Sequence, residues 1–88
     1  MNVEFTNRFE RQLDEINDKK LRAEVASVIK AVMQANSLLE VHNVKKLKGY
    51  KTAYRIRVGA YRIGFVYTDS TIIFSALAQR KNIYRQFP

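Results

Sequence analysis

Residues 53–67 read AYRIRVGAYRIGFVY, and the fold is decided there. Two runs of alternating β-formers flank Gly59-Ala60, the pattern of a two-residue hairpin turn. Glycine at the first central position suits a type II′ turn, where φ must be positive. Val58 then faces Tyr61, and counting back pairs Arg57 with Arg62, Ile56 with Ile63, Arg55 with Gly64 and Tyr54 with Phe65. Opposed residues project to the same face. One face therefore carries Tyr54, Ile56, Val58, Tyr61, Ile63, Phe65 and Tyr67, and the other carries Arg55, Arg57, Arg62, Gly64 and Val66. The first face calls for an apolar cover, and the second presents three arginines on one small surface.

Downstream, Asp69-Ser70 leads into a third strand, Thr71–Leu77. With a two-residue turn there, Gly64 lies opposite Ser75 and Arg62 opposite Leu77, so small residues form the floor of a basic trough. Upstream, Asn2 to Phe5 reads as a short strand running into a helix cap at Thr6 and Asn7. Phe9, Leu13 and Ile16 make one helical stripe, and Asp18 caps a second helix in which Leu21, Val25, Val28, Ile29 and Val32 share a face. This αα-hairpin is the expected cover for the apolar face of the sheet. Between Asn36 and Thr52 periodicity fades, and the segment reads as a loop with Lys45, Lys46, Lys48 and Lys51 around Gly49.

The chain has 88 residues, 47% of them hydrophobic, with 3 Gly and 1 Pro. This predicts one small globular domain over residues 1–88, too short for separate nucleotide and substrate domains. Zero cysteines and a lone histidine, His42, exclude a disulfide framework, iron–sulfur clusters and cysteine-based zinc sites. No cofactor is expected. Glu4 and Arg8 interrupt the opening residues as a signal sequence would not, and no apolar stretch approaches the roughly 20 residues of a membrane span. A cytoplasmic protein without membrane contact is expected. The formal charge of +8 is unevenly spread: residues 1–40 hold 6 basic and 7 acidic side chains, whereas residues 41–88 hold 10 and 1. Such segregation points to an anionic partner, nucleic acid first. Placing Arg57 across from Arg62 costs stability through like-charge repulsion, and Asp69 is the only carboxylate side chain in the basic half.

Three strings in order, Lys46-Leu47-Lys48-Gly49, Tyr54 to Ile63, and Arg80-Lys81-Asn82-Ile83-Tyr84-Arg85, follow the short strand and helical hairpin. Together they resemble the RelE/ParE superfamily, toxins of type II toxin-antitoxin modules, over Asn2 to Tyr84. The resemblance implies an α+β fold like that of small microbial ribonucleases, with the N-terminal strand and helical hairpin packed on a small twisted antiparallel sheet. It also implies a cognate antitoxin that neutralises the toxin, for which an acidic segment is expected. RelE-type members cut translated messenger RNA in the ribosomal A site without a metal, and ParE-type members poison DNA gyrase. Carried over by motif, Lys48, Arg55, Arg57, Arg62, Arg80 and Tyr84 look like the RNA-cleaving set. Lys45, Lys46, Lys51, Lys81 and Arg85 are expected as further RNA contacts. A spacing of four suits one helical turn for Arg80 and Tyr84 after the last strand.

Cleavage by 2′-OH attack needs phosphate positioning, charge stabilisation and a proton acceptor. Some RelE-type relatives carry lysines where this chain has Arg55 and Arg57, and arginine does not accept protons near neutral pH. Others place a histidine where this chain has Gln79. The candidates left for the base are Lys48, Lys51 and His42. Two other readings stand beside the ribonuclease: a ParE-like gyrase inhibitor without nuclease activity, and a catalytically inactive module that binds RNA or an antitoxin.

Overall fold

A computed structural model describes residues 1–88. Its elements run β1 (Asn2–Phe5), α1 (Asn7–Asp14), α2 (Lys19–Gln34), a 3-10 turn (Leu38–Glu40), β2 (Val44–Lys46), β3 (Ala53–Val58), β4 (Tyr61–Thr68), β5 (Thr71–Gln79) and α3 (Arg80–Gln86). Both helix caps expected from the sequence form. Thr6 Oγ1 accepts from the Phe9 amide at 3.2 Å, and Asp18 Oδ1 accepts from the Lys20 and Leu21 amides at 2.9 and 3.2 Å. The expected loop contains one further strand, the three-residue β2, too short to show alternation.

The five strands lie in the order β1-β5-β4-β3-β2. β2 through β5 are antiparallel neighbours, while β1 joins as an edge strand parallel to β5. The sheet is therefore mixed rather than purely antiparallel, because the helical hairpin returns the chain to the same end of the sheet. The β3–β4 register is the one that the Gly59 turn predicts, with Arg57 opposite Arg62 and Arg55 opposite Gly64. Gly59 has φ +58°. The Asp69-Ser70 turn is also two residues long, with φ of +50° and +61°.

The β4–β5 register departs from expectation. Thr68 faces Thr71 and Phe65 faces Phe74, but Gly64 faces Ala76 and Arg62 faces Ala78. Ser75 is an extra residue on β5, a β-bulge, and it resets the side-chain alternation. Ile72, Phe74 and Leu77 thereby share the helix-facing side, which uninterrupted pairing would deny to Leu77. They join Phe65, Ile63, Ile56, Phe9, Val25 and Val32 in the main core. The groups freed by the bulge are captured by the N-terminal third of the chain. The Ser75 carbonyl accepts from Thr6 Oγ1 at 3.1 Å and Arg8 Nε at 2.9 Å, and the Leu77 amide donates to Gln12 Oε1 at 2.8 Å.

The bulge also changes the opposite face. Ala76 and Ala78, not Ser75 and Leu77, lie beside Gly64 and Arg62, and this small-residue floor is not open. Ile83 and Phe87 pack on it with Ala53, Ala76 and Ala78 in a second apolar cluster. Phe87 lies so close to Gly64 that a Cβ there would sit 2.6 Å from Phe87 Cγ. Glycine at position 64 is thus a seat for a ring. The same side chains that hold the bulge hold this C-terminal segment, since Arg8 donates to the Gln86 carbonyl at 2.6 Å and Gln12 bonds the Gln86 side chain.

Candidate nucleic-acid interface

The arginines expected on the outer face do come together, at the rim of the second apolar cluster. Arg62 is 8% exposed, its terminal nitrogen donating to the Gly59 and Tyr61 carbonyls at 2.9 Å each. These bonds tie the guanidinium to the tip of its own hairpin. Its pKa is held below the ordinary guanidinium value, first by burial and then by the positive charges of Arg55, Arg80 and Arg57, with Tyr84 acting in the opposite sense. One guanidinium therefore lies within the field of three others. The oxygens that meet these groups from within the protein are neutral: Arg57 donates to Asn43 Oδ1 at 3.3 Å, and Arg55 to the Asn43 carbonyl at 3.4 Å.

α3 brings up the remaining residues. The Arg80 amide donates to the Ala60 carbonyl at 2.9 Å, fixing the start of the helix against the β3–β4 turn. Arg80 and Tyr84 are one turn apart and line a shallow groove of about 630 Å³ together with Lys81. Tyr84 also forms a wall of a second groove, of about 380 Å³, lined by Lys45, Lys46, Lys48 and Arg55 among others. Lys48 reaches this groove through the β2–β3 turn. There the Tyr50 amide donates to the Leu47 carbonyl at 3.2 Å, and Gly49 takes φ +86°, the positive value that the third position of a type II turn requires.

The structure thus gathers Lys45, Lys46, Lys48, Arg55, Arg62, Arg80, Lys81 and Tyr84 on one surface. Arg57 belongs to it through its pairing with Arg62, but it also lines a cavity of about 170 Å³ with Glu40 and His42. Lys51 and Arg85 are exposed and line neither groove. His42, also exposed, lies on the Arg57 flank, away from Tyr84. Two residues escaped the sequence reading. Tyr50 lines the second groove, yet in sequence it is an ordinary turn residue. Phe87 supplies part of that groove's lining, and the only sequence signal for its seat is the bare glycine in β4.

The family model described as "ParE toxin of type II toxin-antitoxin system, parDE" matches residues 3–84. The chain belongs to the RelE/ParE superfamily of toxins. The toxin is 39% identical to Toxin RelE3 of Methanocaldococcus jannaschii, over the full length of both proteins. Its fold superposes on the toxin of a RelB-RelE antitoxin-toxin complex from Methanococcus jannaschii with a TM-score of 0.83 at 38% identity, covering 98% of this toxin and all of that one. A RelE-RelB complex from Pyrococcus horikoshii has the same fold at 21% identity, with a TM-score of 0.74 over 93% of this toxin and 97% of that chain. The chain is accordingly a toxin of a type II toxin-antitoxin module, of the RelE family. No helix of it is long and apolar enough to cross a membrane.

Proposed function

We propose that this toxin is a metal-independent, ribosome-dependent endoribonuclease that cleaves translated mRNA in the A site. The observation carrying this reading is the gathering of Arg55, Arg57 and Arg80 around the buried Arg62, on which no carboxylate acts, with Glu40 lying only on the far flank of Arg57. A purely structural surface would separate these charges or pair them with acids, whereas a bound phosphate turns the repulsion into charge-assisted hydrogen bonds. In this reading Arg57 and Arg62 hold the scissile phosphate, and Arg80 offsets charge that develops on its oxygens. Tyr84 stacks on a base. The ribose 2′-oxygen attacks the adjacent phosphorus, loses its proton to a base and expels the 5′-oxygen, which takes up a proton from water, leaving a 2′,3′-cyclic phosphate and a free 5′-hydroxyl. Lys48 is our first choice for that base because it shares the groove of Arg55 and Tyr84. His42 and Lys51, both outside that groove, are the alternatives, and the groove-lining Lys45, Lys46 and Lys81 bind the RNA backbone.

The partners that follow are the ribosome, its mRNA and a cognate antitoxin, all in the cytoplasm. The crystallised relatives whose toxins are bound to RelB support an antitoxin partner. An acidic segment suits a half-chain carrying 10 basic and 1 acidic residues. The deciding experiment is primer extension on a translated message after induction of the toxin. Cuts within codons at the ribosomal A site are expected. Intact messages together with gyrase-linked DNA breaks would replace this reading with the gyrase inhibitor suggested by the family model's ParE description.

A further inference from the structure

Tyr50 and Tyr84 belong to elements 34 positions apart in sequence, and both line the groove of about 380 Å³. They are 52% and 59% exposed, among the few large hydrophobic side chains that folding leaves to solvent. The same groove has an apolar lining from Leu47 and Phe87 and a cationic one from Lys45, Lys48 and Arg55. A volume of this size lies within the range of small-molecule sites. Phenol rings, an apolar floor and lateral cations are together the complement of a nucleobase flanked by phosphates. An acidic peptide would be satisfied by the cations alone and gives no reason for two exposed rings.

We infer that this groove is a nucleobase slot, with Tyr50 as a base-binding residue in the same lining as Tyr84. This rests on the reading that the toxin acts on single-stranded RNA. Tyr84 is a wall shared with the neighbouring groove of Arg80 and Lys81, so an RNA strand crosses Tyr84 on its way from one groove to the other. The slot then holds the base of a nucleotide next to the phosphate at the arginines. Stacking strength varies among bases, and Tyr50 therefore contributes to base preference at that position. Tyr50 lies in the β2–β3 turn and outside both core clusters, so its replacement leaves the fold intact.

The test compares binding of an octameric oligoadenylate with that of an abasic octamer of equal charge, by fluorescence anisotropy, for the wild type, Tyr50→Ala and Tyr50→Phe. The wild type and Tyr50→Phe are expected to prefer the base-bearing strand. Tyr50→Ala is expected to lose roughly 5- to 150-fold on oligoadenylate while its affinity for the abasic strand stays unchanged. Equal binding of oligoadenylate by Tyr50→Ala and wild type would overturn the slot. So would a Tyr50→Ala variant that loses affinity for the antitoxin alone, because the rings would then serve a protein partner. A toxin that shows the base-dependent difference but makes no A-site cuts would remove the nuclease reading and leave the slot standing.

Discussion

Replacing Arg62 by methionine separates a structural strut from a ligand-binding group. The substitution removes two hydrogen bonds, to the carbonyls of Gly59 and Tyr61. Both carbonyls lie at the hairpin tip, where Gly59 is exposed and Tyr61 only half-buried, so water replaces the donor and the cost is about 1 kcal/mol for each bond. Against this stands the repulsion from Arg55, Arg80 and Arg57. In a site near the surface of a small fold, one like charge several ångströms away costs on the order of 1 kcal/mol. Relief from three such neighbours offsets the two missing bonds, and methionine keeps most of the apolar packing of the arginine stem. The net change in stability is expected within about 1.5 kcal/mol of zero, less than the roughly 2–5 kcal/mol typical of removing a large core side chain. The folded-state pKa of Arg62 is lowered, first by burial and then by its cationic neighbours, so carrying its charge opposes folding. Raising salt screens the repulsion and is expected to stabilise the wild type more than Arg62→Met. RNA binding should respond in the opposite way to stability, with the logarithmic salt dependence of affinity falling by about 0.7 because one phosphate is no longer neutralised. Urea melts at low and high salt, paired with anisotropy titrations across the same salt range, measure both quantities. A variant destabilised by more than about 3 kcal/mol with an unchanged salt slope for RNA would refute the argument and make Arg62 a brace for the hairpin.

Gly64→Ala forces a methyl group against the Phe87 ring, and thermal melts should show a loss of about 1–3 kcal/mol, with weaker RNA binding because Phe87 lines the slot. The base assignment predicts that Lys48→Arg retains RNA binding but cuts slowly in single-turnover assays on programmed ribosomes, since Arg does not accept the 2′-proton; Lys51→Arg should match the wild type. Full cleavage by both variants would place the base elsewhere, with His42→Ala the next variant to measure. Antitoxin binding is expected to shield Arg57 from arginine-directed chemical labelling, and equal labelling in the free and bound toxin would show that the antitoxin sits on another face.

Local chemistry makes much of the molecule legible in its sequence. The β3–β4 pairing follows from one glycine, because a two-residue turn dictates register and register dictates faces. The helix starts follow from Thr6 and Asp18, whose side chains cap amides two or three residues on. The helix-facing core follows from stripes at helical and strand periods, and the clustering of Arg55, Arg57 and Arg62 from strand alternation alone. Those features depend on residues within a few positions of one another.

The rest depends on partners far apart in the chain. The bulge at Ser75 exists because Thr6, Arg8 and Gln12, more than sixty positions away, supply the groups that bond its freed carbonyl and the Leu77 amide. That single extra residue moves Leu77 into the core and puts Ala76 and Ala78 on the outer face. The floor then accepts Ile83 and Phe87 of the C-terminal segment, and a trough that looks open in sequence becomes a seat with a basic rim. The parallel pairing of β1 with β5, the presence of β2, and the placing of Tyr50 and Tyr84 on one groove have the same origin. Each is an interaction whose energy arises only once the sheet and helices have closed on one another, so no local pattern records it.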